Sequence, residues 1–153
     1  MKKFYFALDT VLNYKQQILE HLQEEHARII AERVACERVI EGLEQQQSQC
    51  MADWEEKKAR GFTIQEMQTF DRFLTSIRGK IERERERLAE IMAREERKRE
   101  EVVEARKETA SIEKLKEKKR AQYDKEVQKD EERFIEEFVS NKSAVEREAR
   151  NTA

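Results

Sequence analysis

Apolar residues recur along the first sixty positions at alternating spacings of three and four. With Leu8, Lys15, Leu22, Ile29, Cys36, Leu43 and Cys50 as a positions, the d positions are Leu12, Leu19, His26, Arg33, Ile40, Gln47 and Trp54. Ten of these fourteen residues are apolar, and the series runs from Leu8 to Trp54 without a skip. Val11, Ile18, Ile30, Val34 and Val39 widen the stripe on its flanks. Sustained a/d spacing in a polar background marks a coiled-coil helix, because a 3.5-residue repeat keeps one seam facing a partner.

The pattern stops near residue 60. Lys57, Lys58 and Arg60 put positive charge where a helix C-terminus favours it, and Gly61 can take the left-handed cap conformation. Thr63 followed by Glu66 three residues later reads as a capping box, with Phe62 and Met67 at the positions of a hydrophobic staple. A second helical pattern then runs through Met67, Phe70, Leu74, Ile77, Ile81, Leu88, Ile91, Val102, Ala105, Ile112 and Leu115. Its seam thins between Glu82 and Arg87 and again between Arg94 and Glu101. There, acid-first pairs such as Glu90–Arg94 and Glu95–Arg99 support helix by a few tenths of a kcal/mol each, on the order of 0.3.

A short turn between two long amphipathic helices folds them antiparallel. The expected fold is therefore all-α: two long helices in an antiparallel coiled-coil hairpin, the second longer than the first. The boundaries are helix 1 at about 7–59, a turn at about 60–63 and helix 2 at about 63–148, as one domain. Folding about Gly61 and Phe62 pairs residues whose numbers add to roughly 123. Leu8 then meets the neighbourhood of Leu115, Cys50 meets Phe73 or Leu74, Arg33 falls near Glu90 and His26 near Glu95 and Glu96. Gly42 and Gly79 come nearly opposite each other, where they admit a close approach or a bend. The arms are unequal, so helix 2 has no intrachain partner beyond about residue 120. Tyr123, Val127, Phe134 and Phe138, with Val145 further on, still line one face of that free arm. An uncovered apolar stripe implies another molecule; the alternatives are that the arm frays or pairs with itself in a homodimer.

Composition sharpens this picture. Of 153 residues 43% are charged, none is Pro and three are Gly, which excludes β-rich folds that need frequent turns. The apolar period argues against disorder, the other reading of high charge. Lys and Arg number 32 against 34 Asp and Glu, without the sign excess that marks a nucleic-acid or anionic-lipid surface. No apolar run approaches the roughly 20 residues of a membrane span. The start, Met1 to Leu8, imitates a signal peptide only until Asp9. Cys36 and Cys50 are too far apart on one helix to bridge and read as small apolar residues in a reducing compartment. These features predict a cytosolic protein.

No catalytic constellation emerges. Gly42, Gly61 and Gly79 belong to no phosphate-binding loop. His21 and His26 are five residues apart, on different helix faces, and make no zinc pair. The basic cluster Lys114, Lys116, Lys118, Lys119 and Arg120 is interleaved with Glu113 and Glu117 and reads as a solvated face. The expectation is a protein-interaction element and no enzyme, with no metal and no cofactor.

Four segments carry a family resemblance. They are Phe4-x-Phe6-x-Leu8-x-x-Val11-Leu12-x-Tyr14-Lys15 at the start and Phe70-x-x-x-Leu74-x-x-Ile77-x-x-x-Ile81 after the turn. The others are Glu113 to Lys119 with Tyr123, and the acidic-aromatic stretch from Asp130 to Phe138. In order and spacing they resemble the FliJ family, the small soluble component of the bacterial flagellar type III export apparatus. The resemblance implies a non-enzymatic part in flagellar protein export. Its partners would be the export ATPase ring, the linker of the export-gate membrane protein, and unloaded export chaperones that it escorts. It also implies a cytoplasmic location, peripheral at the inner face of the inner membrane, without insertion. By motif position the gate-contacting surface falls near the hairpin end, on Phe70, Leu74, Ile77 and Ile81 with Cys36, Ile40, Leu43 and Gln47. The heptad assigns those residues to the intramolecular seam, which leaves Phe73, off the seam, as the better exposed anchor. A self-associating cytosolic coiled-coil scaffold is the alternative reading.

Overall fold

A computed structural model describes residues 2–153. Two helices account for almost all of them, α1 (Asp9–Arg60) and α2 (Ile64–Asn151), and no strand occurs among the described residues. They pack against each other as an antiparallel hairpin, α2 being the longer at 88 residues against 52. The ends follow from local chemistry. Asp9 places negative charge in the first turn of α1, where the helix dipole favours it. Gly61 closes α1 with φ of 100° and its N–H donates to the Lys57 carbonyl at 3.0 Å, the left-handed cap that a Cβ would strain. Thr63 Oγ1 accepts from the Glu66 N–H at 3.2 Å, opening α2. The reciprocal half of the expected capping box is replaced: the Glu66 carboxylate pairs with Lys57 Nζ at 3.0 Å.

The chain divides into two compact units, Ile18–Ala105 and Met1–Gln17 with Arg106–Ala153. In the first, Cys36, Ile40 and Ile91 form a buried cluster against which Ile29 and Leu88 pack. Leu74, Ile77, Ile81, Val102 and Trp54 are buried with them. Ile91, 2% exposed, contributes about 1.5–3 kcal/mol of hydrophobic burial. The seam does not break where its apolar residues thin. Glu84, Glu95 and Lys98 are half-buried and keep the three-four spacing between Ile81, Leu88, Ile91 and Val102. Polar side chains occupy the heptad positions there.

Cross-helix ion pairs fix the register in this unit. Arg33 Nε lies 2.7 Å from Glu95 Oε2, although its N–H is not aimed along a hydrogen bond. Arg94 reaches Glu32 at 2.7 Å and Lys98 reaches Glu25 at 2.8 Å. The intrahelical pairs expected for this stretch give way to them: Arg94 and Glu95 both turn to α1, and Arg99 pairs with Glu96. Arg33 therefore meets Glu95 and not Glu90, about one helical turn from expectation, and the buried His26 Nε2 has no hydrogen-bond partner. Such half-exposed pairs align the helices more than they stabilise them. Gly42 and Gly79 make no close approach. Nothing lies within 4 Å of the place a methyl group would take at Gly42, and at Gly79 only Arg83 Nη1 does, at 3.9 Å.

In the second unit Phe6, Leu12 and Thr109 are buried. Asp9 pairs with Lys116 at 2.7 Å and Lys15 with Glu108 at 2.8 Å. The described residues before Asp9 are not helical. They run along α2 as a clasp, in which Tyr123 Oη donates to the Lys2 carbonyl at 2.8 Å and the Phe4 and Tyr123 rings lie 5.5 Å apart. The Arg120 guanidinium covers both rings, at 5.1 and 5.4 Å. This is why α1 starts at Asp9 and why Tyr123 and Val127 are half-buried. The uncovered part of α2 therefore begins beyond Val127, later than the expected position near 120.

Candidate partner-binding surfaces

Aromatic residues gather where α1 ends and α2 begins. Trp54 occupies the last d position of α1, and Phe70 the first seam position of α2 to be partly covered. Their rings stack at 4.6 Å with 8° between planes, and Phe62 from the turn packs on Trp54 at 4.9 Å. Trp54 is thus 9% exposed, which holds Phe70 in place. Beside it lies an open groove of about 470 Å³ lined by Cys50, Trp54, Phe70 and Phe73 with Gln49 and Thr69. Several polar groups on its rim already have partners: Gln49 donates to Asp53 at 2.9 Å and Lys57 pairs with Glu66. The floor is apolar, so the groove suits an apolar side chain of another protein.

The residues assigned to the gate-contacting surface are not equally available. Cys36, Ile40, Leu74, Ile77 and Ile81 are buried in the intramolecular seam. Leu43, Gln47 and Phe70 are half-buried, and Phe73 alone presents a large apolar surface, 47% exposed. The structure brings Phe70 and Phe73 together at the groove with Cys50 and Trp54, which the heptad assigns only to the seam. The signal for Trp54 is its place as the aromatic in the last d position before the turn.

The two thiols are free. Burial, with the Glu84 carboxylate beside it, pushes the Cys36 thiol above its ordinary value; its sulfur lies 3.5 Å from both the Glu84 carbonyl and Oε2. Burial also raises Cys50. Neither is a thiolate poised for chemistry.

The second surface is the part of α2 after Val127, where every residue is exposed. Phe134 and Phe138 are 70% and 63% exposed, in contrast to Tyr123 and Val127 under the clasp. Ile135, Val139 and Val145 are exposed beside them. Ile135 and Val139 lie outside the stripe expected from the sequence; they widen it. Among the described residues no group of His, Cys, Asp and Glu is arranged to hold a metal, and no helix is long and apolar enough to cross a membrane.

The family model described as "Flagellar FliJ protein" matches residues 4–148, nearly the whole chain. No curated protein and no solved structure matches it.

Proposed function

The chain belongs to the flagellar FliJ protein family, and from that premise we propose that it couples the flagellar export ATPase to the membrane export gate. The family is a non-catalytic component of the flagellar export apparatus, and protein transport is the process in which this chain takes part. In the proposed arrangement the exposed face of α2 after Val127 engages the ATPase. The aromatic groove with Phe73 at its edge contacts the gate protein, and the chain escorts unloaded export chaperones at the cytoplasmic face of the inner membrane. The observation that carries the reading is the uncovered stripe of Phe134, Phe138 and Val145 on a helix whose earlier seam residues Leu74, Ile77, Ile81, Ile91 and Val102 are buried within the chain. Large exposed apolar residues aligned on one face mark a protein-interaction surface.

Co-purification of the full-length protein with the export ATPase tests the coupling. Replacing Phe134 and Phe138 together by Ala is expected to abolish it while leaving the helical content unchanged. Undiminished binding by that variant removes the arm from the account. Deleting the gene is expected to abolish flagellar assembly without affecting growth, and a normally motile deletion strain contradicts the reading as a whole.

A further inference from the structure

The clasp has two unequal parts. Phe6 is 7% exposed and its carbonyl accepts from the Asp9 N–H at 3.1 Å, which fastens it to the start of α1. Residues 2–5 are held far more loosely. Lys2, Lys3 and Tyr5 are exposed, and only Phe4 is half-buried. Among the described residues, the one hydrogen bond these four make is that accepted by the Lys2 carbonyl from Tyr123 Oη. The Phe4 ring adds its contacts with Tyr123 and with the Arg120 guanidinium. Arg120 is itself paired with Asp124 on α2 at 3.3 Å, so it remains with Tyr123 when Phe4 leaves. An open cavity of about 520 Å³ is lined by Phe4 and Tyr5 together with Tyr123 and Val127, so packing beneath the segment is incomplete. One ring and one hydrogen bond oppose the conformational entropy that four residues regain on release. Segments with so few contacts are those that open locally.

The segment covers the start of the strip that is bare further along α2. At about 100° per residue, Tyr123, Val127, Phe134, Phe138 and Val145 fall within about 60° of the helix circumference. Between Tyr123 and Arg150 the one other residue in that strip is Asn141. Tyr123 and Val127 are half-buried, whereas Phe134, Phe138 and Val145 are exposed. Helix α1 does not reach the covered pair. It begins at Asp9, whose carboxylate meets Lys116, about two helical turns short of Tyr123.

We propose that residues 2–5 are an autoinhibitory lid hinged at Phe6. Closed, the lid withholds Tyr123 and Val127 from a protein that binds along the strip. Open, it lengthens the bare strip from about 16 Å, between Phe134 and Val145, to about 33 Å from Tyr123. The inference rests on the coupling role proposed above, in which the export ATPase occupies the strip, and adds that the occupant displaces Phe4. Because only open molecules offer the whole strip, the lid lowers the apparent affinity by the fraction of molecules that are open.

Thiol labelling of the full-length protein reads the lid without any partner. A Cys50→Ser background leaves the buried Cys36 as the only native thiol. In it, Val127→Cys places a thiol under the lid and Phe134→Cys one beyond it. Val127→Cys is expected to label about tenfold more slowly. Phe4→Ala, or deletion of residues 2–5, is expected to bring the two rates within about twofold. Tyr5→Ala, at a position 83% exposed, should leave the difference intact. Binding of the lid variants to the purified export ATPase is then measured with the native cysteines in place. Both are expected to bind more tightly than wild type, by the factor lost in labelling, with circular dichroism unchanged. Slow labelling of Val127→Cys in the lid variants overturns the proposal, because something else then covers the strip. If the lid variants lose protection but bind the ATPase no more tightly than wild type, the lid is no competitor, while the coupling role stands. If the wild type does not bind the ATPase, the coupling role falls and this inference with it.

Discussion

Ile18–Ala105 and the α2 residues after Val127 are both amphipathic helix rich in Glu, Lys and Arg, but they treat their apolar stripe differently. In the first, the heptad positions from Leu19 to Trp54 and from Phe70 to Ala105 are buried or half-buried, most of them apolar like Ile77 and Ile91, and the charged Glu95 meets Arg33 across the seam. In the second, Phe134 and Phe138 are larger than most of those side chains and yet stand in solvent. Amphipathic pattern alone does not separate the two. Coverage within the chain does, and it divides the residues that hold this protein together from those free to bind another.

That contrast can be broken most forcefully by truncation at matched positions. Trp54→Ala removes the ring that stacks on Phe70 and packs against Phe62 and is expected to cost about 3–5 kcal/mol, and Ile91→Ala about 2–5 kcal/mol, both read from chemical unfolding followed by circular dichroism. Phe138→Ala is expected to change stability by about 0.5 kcal/mol or less. Comparable losses at Trp54 and Phe138 would mean that the terminal stretch is covered after all.

The glycines give a smaller and opposite pair of effects. Gly42→Ala and Gly79→Ala are each expected to stabilise by about 1 kcal/mol, because both positions are helix interior with room for a methyl. Gly61→Ala should destabilise by about 1 kcal/mol or more, since it forces an L residue to a φ of 100°. Thermal melts of the three variants decide it, and a stabilised Gly61→Ala protein contradicts the cap.

The smallest effect is the pH dependence of the Glu25–Lys98 pair. Its hydrogen bond to Lys98 holds the Glu25 carboxyl below its ordinary value, and the same bond raises Lys98. Because the folded Glu25 value is depressed, its contribution is complete above the unfolded value of about 4.3 and disappears as pH falls through the folded one. Because Lys98 is raised, its contribution is complete below about 10.4 and disappears as pH rises through the folded value. A double-mutant cycle of Glu25→Gln and Lys98→Met should therefore show coupling at neutral pH and none in acid below the folded Glu25 value. Coupling that persists in such acid would mean the pair does not work as an ion pair.

Much of this architecture is legible in the residues themselves. The seam of α1 can be read position by position, and Gly61 with Thr63 marks the turn because backbone strain and capping are local chemistry. Length alone leaves part of α2 without α1 to cover it. What cannot be read is whatever depends on which distant residue arrives opposite. Glu84, Glu95 and Lys98 look like gaps in the seam because a polar residue carries no apolar signal, although they occupy its heptad positions. The clasp is hidden for the same reason: nothing local to Phe4 and Phe6 points to Tyr123 and Arg120, more than a hundred residues away. Motif position puts the binding surface near the turn on residues five of which the folded chain buries. At the groove the expected pairing of Cys50 with Phe73 or Leu74 does bring Cys50 to Phe73, whereas the stacking of Trp54 on Phe70 is not legible in the heptad.

Hydrogen exchange of the full-length protein, alone and with the export ATPase, tests most directly whether the uncovered face is the coupling surface. Backbone amides from about residue 128 to 148 should exchange quickly in the free protein and become protected in the complex, while those around Ile77 and Ile91 stay slow in both. Protection confined to Ile18–Ala105, with the terminal stretch of α2 exchanging as fast in the complex as alone, would contradict the account.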